Sequence, residues 1–235
     1  MYSVGIVGAG RIFKKHYQAI NKLSKYFKLI AVCDKKITKQ IKNISDKKFY
    51  FFSDMTRMVK SCKPDIIVIL TESGNHIKHY LKLEKFAKNF IIEKPLGLFS
   101  KDLKKIILSK KKFNNNIFVV KQNRFNPPVV KLKKSILKKQ LGKVFMSSSR
   151  VRWRRDQSYY DLAKWRGTRN LDGGVIGNQA SHHLDALIWM NGKVKEVFAH
   201  GIKALAKIES EDTIIANLKF KNGSVGVLEA TTATR

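Results

Sequence analysis

A doubly wound parallel α/β domain followed by an α+β domain with a largely antiparallel sheet is the architecture this sequence predicts. Three observations carry it. Short apolar runs of strand length alternate with helix-spaced segments through residue 121. One of those runs, Ile66-Ile67-Val68-Ile69-Leu70, has no polar position at all, as a parallel strand covered on both faces requires. Beyond Gln122 the alternation stops, and the last stretch reads as strands with no helices between them. The boundary therefore falls between a domain of residues 1–121 and a second of residues 122–235.

Residues 4–7 form the first strand, and residues 11–23 follow with helical spacing of Ile12, His16, Ala19, Ile20 and Leu23. Residues 29–33 make the second strand, ending at Asp34, and residues 49–52 a short third. Asp54 caps a helix that runs to Cys62, where Pro64 stops it. After the strand at 66–70, a helix over 76–88 leads to the strand at 90–92. A helix capped by Ser100 then leads to a strand at 117–120. In the second domain Pro127-Pro128 opens a helix that reaches residue 139. Residues 144–151 form a strand, 152–171 an aromatic-rich loop and 175–190 a single helix. Strands follow at 194–200, 213–220 and 224–230, the last two joined by an Asn222-Gly223 hairpin turn.

A chain of 235 residues that is 43% hydrophobic can bury a real core. No apolar run approaches the roughly 20 residues of a membrane-spanning helix, so no membrane partner is expected. Met1 leads straight into a strand, leaving no room for a signal peptide. Cys33 and Cys62 fall in different elements of one α/β unit, which argues against a disulfide framework and for a cytoplasmic location. The net charge of +31, from 48 Lys and Arg against 17 Asp and Glu, raises the question of nucleic acid. The lysines are scattered over nearly every expected helix, as in Lys101-Asp102-Leu103-Lys104-Lys105, with no basic tail. Lysine here reads as the default surface residue, and no nucleic-acid partner is expected, although an anionic substrate would gain from the field.

Three groups of residues carry chemistry. Gly8-Ala9-Gly10, continued by Arg11 and Ile12, lies between the first strand and the first helix. There, glycines let backbone N–H groups and a helix N-terminus meet a pyrophosphate. Phe13 stands where a third glycine would complete the pattern. Asp34, ending the second strand, is placed to accept from the hydroxyls of an adenosine ribose, with helix capping as its other reading. Thr71, Asn75 and His76 follow the most apolar strand, where the middle of such a cofactor would lie, and Ser73 or Asn75 can also cap the helix that follows. Next, Glu93-Lys94-Pro95 sets a lysine at the carboxyl end of a buried strand, the edge at which open α/β sheets bind ligands. The bond before Pro95 is a candidate cis peptide.

The third group runs from Asp172-Gly173-Gly174 to His182-His183-Leu184-Asp185. On one helix Asn178 and His182 share a face, as do Gln179 and His183, and Asp185 is spaced to orient the His182 imidazole. His183 reads as the packing partner of the pair. Adjacent histidines on a helix point about 100° apart, so no metal site is expected.

These landmarks resemble the Gfo/Idh/MocA family of sugar and cyclitol dehydrogenases, in order and spacing, over essentially the whole chain. The resemblance implies a Rossmann domain binding NAD rather than NADP through Gly8, Gly10, Arg11, Ile12, Asp34, Thr71, Asn75, His76, Glu93 and Lys94. It makes Lys94 the lysine of an E-K-P motif and His182 the catalytic histidine, while Asn178 stands where many members carry aspartate. Tyr159-Tyr160-Asp161, Trp165-Arg166-Gly167-Thr168 and the third group together look most like the nucleotide-sugar branch, which includes dehydrogenases oxidising C3 of UDP-N-acetylglucosaminuronate. Members continue past the strand containing Glu229, so the resemblance implies an incomplete second domain, and a homo-oligomer where that sheet is complete.

The reading that follows is an NAD-dependent enzyme oxidising a secondary hydroxyl of a nucleotide-linked sugar acid. Its rival is a cofactor-binding sensor that has lost turnover, favoured by Asn178 and opposed by Lys94 and His182. Substrate contacts are expected from Lys94, Arg124, Arg152, Tyr160, Trp165, Arg166, Asn178, Gln179 and His182, because arginine forks fit phosphate and carboxylate and aromatic faces stack on sugars or bases. The resemblance sets Arg124 at the same cleft.

Overall fold

A computed structural model of the chain describes residues 1–45 and 47–234; Asp46 and Arg235 lie outside the described residues. The chain divides into two compact units, Met1–Val120 and Lys121–Arg235.

The first unit is built on β1 (Tyr2–Val7), β2 (Phe27–Cys33), β3 (Tyr50–Phe52), β4 (Ile66–Ile69), β5 (Asn89–Ile92) and β6 (Asn116–Val119). They pair in the order β3-β2-β1-β4-β5-β6, every pairing parallel. The strand order reverses between β1 and β4, which makes the carboxyl ends of those two strands the natural ligand crevice. Helices α1 (Phe13–Lys22), α2 (Lys39–Lys42), α3 (Met55–Cys62), α4 (His76–Leu83) and α5 (Ser100–Phe113) make the crossovers.

The uniformly apolar β4 divides between two cores, as a strand covered on both faces should. Ile67 and Ile69 join Met58, Tyr80, Leu83, Phe90 and Ile92 on one face. Ile66 and Val68 join Val4, Ile6, Phe13, Val32 and Ile41 on the other. Asp54 caps α3 by accepting from the Arg57 N–H. Ser100 does not cap α5: it is the first helical residue, and Phe99 holds the cap position without a side-chain bond. α4 ends at Leu83, five residues short of the sequence reading, and Phe86 N–H turns back to the Leu83 carbonyl.

The second unit opens with a 3₁₀ turn, Gln122–Phe125, and α6 (Pro127–Leu137), with proline in its first turn where no backbone donor is needed. Its sheet holds β7 (Met146–Arg152), β8 (Val194–Ile202), β9 (Thr213–Phe220) and β10 (Val225–Thr231) in the order β7-β10-β9-β8. β9 and β10 form the hairpin around Asn222-Gly223, Gly223 having φ +87°. β8–β9 is antiparallel, but β7 lies parallel to β10, so the sheet is mixed. A two-residue alternation carries no strand direction, which is why this pairing was not visible in the sequence.

Between β7 and β8 lie three helices, α7 (Gln157–Asp161), α8 (Gly174–Asn178) and α9 (Ser181–Asn191). Here the single helix expected over 175–190 is two. The ladder is interrupted at Gln179-Ala180, where Ala180 N–H reaches five residues back to the Val175 carbonyl. Leu184 and Leu187 pack on Leu218, Phe220 and Leu228, and Val175 and Ala180 on Val151 and Ala230. The opposite sheet face exposes Phe198, Ile215 and Val225.

Candidate functional site

The glycine turn sits at the carboxyl end of β1. Gly8 has φ +97°, and a Cβ there would lie 2.8 Å from the Leu70 carbonyl carbon, so no side chain is tolerated. Gly10 meets the opposite circumstance: nothing lies within 4 Å of where its Cβ would be, so the backbone is open to an approaching ligand. Three bonds hold the turn. Gly8 N–H donates to the Cys33 carbonyl (2.8 Å), Ala9 N–H to Asp34 Oδ2 (2.7 Å), and Thr38 Oγ1 to the Ala9 carbonyl (2.8 Å). Asp34 is therefore no helix cap; Thr38 caps α2, accepting from Ile41 N–H. The carboxylate that would meet a ribose is braced by the turn that would meet the pyrophosphate. Phe13 is fully buried, stacked on Tyr17 with ring centroids 6.0 Å apart, and fills the space a third glycine would leave. Arg11 and Ile12 are exposed beside the turn. These features fit a dinucleotide.

A second cluster fixes the turn after β5. Glu93 Oε1 meets His16 Nε2 at 2.8 Å, while Oε2 accepts the Lys94 backbone N–H at 3.0 Å. Burial pushes the Glu93 carboxyl up, but the His16 bond and the neighbouring positive charges outweigh it and hold the value below the ordinary range. Both Glu93 oxygens thus position α1 and the Lys94 backbone. The Lys94–Pro95 peptide is cis. His76, 1% exposed, has Nδ1 2.7 Å from the Pro95 carbonyl and Nε2 3.0 Å from the Thr71 carbonyl, so its ring sits between the β4 turn and the Lys94–Pro95 turn. The neutral ring that burial favours can donate to only one of these two carbonyls, so the tautomer decides which turn it bonds. Thr71 Oγ1 bonds His79 Nδ1 (2.9 Å), and Asn75 Nδ2 donates to Glu72 rather than capping α4. Thr38 and His16 carry no motif of their own, and only the folded turn shows their part.

In the second unit Asp172 is 1% exposed; it accepts from Gly167 N–H at 2.7 Å and from Asn178 Nδ2. The position that often carries aspartate in this kind of sequence is an amide here, and a carboxylate reaches it from six residues upstream. Asp185 does not serve as the orienter expected for His182. Arg124 grips it with Nε and Nη2, both at 2.7 Å, Lys121 approaches to 3.8 Å, and the Arg124 guanidinium lies over the Trp189 ring. His183 packs edge-on to Trp153, and burial holds its imidazole below the ordinary value. His182 is the second residue of α9, just after the helix break, and Asn178 ends α8, so the two are not on one continuous helix.

The aromatic-basic loop folds largely on itself. Arg166, 8% exposed, lies over Tyr159 (4.3 Å) and Trp165 (4.9 Å). Tyr160 is buried, its hydroxyl 3.1 Å from Thr232 Oγ1, and Gln179 Nε2 donates to Tyr159 Oη at 3.4 Å. Arg152 lies on the open sheet face, paired with Glu229 at 2.9 Å. Among the described residues no group of His, Cys, Asp or Glu is arranged to hold a metal, and no helix is long and apolar enough to cross a membrane.

Two solved structures share the whole of this architecture. The WlbA dehydrogenase of Chromobacterium violaceum, in complex with NADH and UDP-GlcNAcA, is 33% identical with a TM-score of 0.94, matching 99% of this chain and 68% of its own. The WlbA dehydrogenase of Bordetella pertussis, with the same two ligands, is 34% identical with a TM-score of 0.93, matching 98% and 72%. Myo-inositol 2-dehydrogenase of Thermotoga maritima is 24% identical over 235 residues, 96% of this chain and 67% of that one. The oxidoreductase YteT of Bacillus subtilis is 27% identical over 194 residues, of which this chain spans only 44% of the relative's length. Residues 2–121 match the model of the oxidoreductase family with NAD-binding Rossmann fold, and residues 129–235 the GFO/IDH/MocA C-terminal domain. With family models matched over both units, the chain belongs to the Gfo/Idh/MocA family of NAD-binding oxidoreductases.

Proposed function

We propose that the protein oxidises a secondary hydroxyl of a nucleotide-linked sugar acid, with C3 of a UDP-linked N-acetylated uronate as the best candidate. The observation that carries this reading is the likeness, at 33% and 34% identity over nearly the whole chain, to two dehydrogenases holding NADH and UDP-GlcNAcA. Residues 1–121 form the cofactor domain and 122–235 the substrate domain. Bound NAD supplies the hydride acceptor. An imidazole is available in its neutral form near pH 7, so His182 takes the hydroxyl proton, while a lysine ammonium stays charged and Lys94 stabilises the developing alkoxide. Asp34 Oδ1, whose partner oxygen is held by Ala9, receives the ribose hydroxyls and disfavours a 2′-phosphate.

The test is absorbance at the reduced-nicotinamide band, with NAD and UDP-N-acetylglucosaminuronate compared with free glucose and myo-inositol. Turnover of the nucleotide sugar alone is expected. Lys94→Ala and His182→Ala should each abolish it with NAD affinity intact. Preference for a neutral compound would sink the nucleotide-sugar assignment, and NAD binding without turnover of any of the three would favour the sensor.

A further inference from the structure

The second unit contains a cavity of about 880 Å³ that none of the proposed catalytic residues lines. Its walls carry four cations, Lys164, Arg166, Lys203 and Lys207, against two carboxylates, Asp161 and Glu209. Those carboxylates already hold local partners. Asp161 accepts from Gln157 Nε2 at 3.0 Å, and Glu209 from the Arg169 N–H at 3.1 Å. Arg166 is the informative member. Although buried, its Nε and Nη1 have no hydrogen-bond acceptor among the described residues, and a buried guanidinium is ordinarily satisfied by carboxylate or phosphate oxygens.

The cavity is built rather than incidental. One wall, residues 163–168, turns at Gly167, where φ is +70° and a Cβ would come within 2.5 Å of the Ile208 side chain. The Gly167 carbonyl accepts from Glu209 N–H (3.1 Å) and Ser210 N–H (3.0 Å), and its own N–H is held by Asp172, so the two walls are joined at that residue. The other wall is shaped by Asp212, whose carboxylate accepts the N–H groups of Ala204, Leu205 and Ala206 at 2.7, 2.8 and 2.9 Å. Lys207 N–H closes the rim on Gln157 Oε1 at 2.9 Å. Lys203 and Lys207 therefore project from a fixed loop. Arg166 also faces the helix break, through Tyr159 to Gln179, so the cavity lies one aromatic ring from α8 and α9.

We infer that this cavity binds the diphosphate of a phosphorylated ligand, held by the exposed Lys203 and Lys207 with Lys164 and Arg166 as the further cations of its lining. The inference rests on the nucleotide-sugar reading for its natural ligand, but the site itself can be tested without that reading. Calorimetry on the whole chain with UDP and with inorganic pyrophosphate, for wild type and the double variant Lys203→Ala/Lys207→Ala, is the experiment. Both lysines are exposed, so the variant should fold, and NAD titration serves as the check. Expected is UDP affinity weakened on the order of tenfold or more, NAD affinity unchanged, and KM for the nucleotide sugar raised with kcat retained. Equal UDP affinity in the two proteins would overturn the cavity assignment and leave the proposed reaction standing. Lysine-dependent pyrophosphate binding in a protein that does not oxidise the nucleotide sugar would uphold the cavity and overturn the reaction. Failure of wild type to bind either probe would overturn the cavity.

Discussion

The nucleotide turn of the first unit and the Asp172 region of the second both rest on a carboxylate that grips backbone, and they differ in what stands behind it. Asp34 ends a parallel strand, and its hold on Ala9 is backed by two bonds to Gly8 and Ala9 from Cys33 and Thr38. Asp172 ends no strand. It is 1% exposed, it joins the Gly167 turn to Asn178, and that turn in turn carries one wall of the basic cavity. One site is a backbone cradle steadied by side chains at strand ends. The other is a network of side chains on loops and a broken helix, where a single carboxylate links several parts. The first should tolerate loss of its carboxylate with a change of ligand preference; the second should lose stability.

The sharpest test of that contrast is Asp172→Ala. It removes the acceptor of the buried Gly167 N–H and one acceptor of the half-buried Asn178 amide, and with a lost buried partner costing about 1–3 kcal/mol, a loss of about 2–4 kcal/mol is expected in urea unfolding. A loss below about 1 kcal/mol would mean that the network can be rebuilt without it. Gly8→Ala comes next. Its backbone at φ +97° and the close Leu70 carbonyl predict a cost of about 2–3 kcal/mol together with loss of NAD binding, measured by denaturation and by titration. If Gly8→Ala bound NAD normally, the turn would not be the cradle.

How far each region could be read from the sequence follows the same division. β4 announces itself because burial on both faces removes every polar position, and Gly8, Asp34 and Lys94 are found by standing at strand ends, which apolar runs mark. The hairpin at Asn222-Gly223 is equally local. What stayed hidden depends on partners distant in sequence. Asp185 lies three residues from His182 but is held by Arg124, 61 residues away, so helical spacing named the wrong partner. The break at Gln179-Ala180 has no proline to mark it, and Gly177 alone does not separate a break from a continuous helix. Asp172 was visible as a member of a motif, but its bonds to Gly167 and Asn178 become visible only when the loop closes.

Asp34→Ala should have a smaller effect on folding than Asp172→Ala, because the turn keeps its Cys33 and Thr38 bonds. Expected is NAD affinity weakened by roughly tenfold with NADP affinity unchanged or improved, since one carboxylate–hydroxyl interaction is lost and a negative charge is removed from the 2′ position. Titration of both cofactors against both proteins reads this directly. Lys35 and Lys36 follow Asp34 and soften the preference, and tighter binding of NADP than NAD by the unmodified protein would reverse the cofactor assignment.

The smallest effect concerns the histidines behind the cradle. Burial, opposed only in part by the Glu72 charge, lowers the His79 imidazole from 6.5 to about 4, and burial lowers His76 in the same direction. In the unfolded chain these rings take up a proton as pH falls through 6.5, while in the folded protein His79 remains neutral until about 4. The unfolded state then binds more protons, so stability must decline as pH falls across that window and recover as pH rises. Carboxylates with lowered values, such as Glu93 and Asp212, add their own losses only nearer their ordinary range, which leaves pH 6.5 to 5 to the histidines. Urea midpoints for wild type and His79→Gln across that interval separate the contribution. Glutamine keeps a polar group beside Thr71 Oγ1 but cannot titrate, so the variant's midpoint should fall less steeply with acid than that of wild type. Parallel slopes for the two proteins would show that His79 protonates in place, and that this part of the cradle is more open to water than its burial implies.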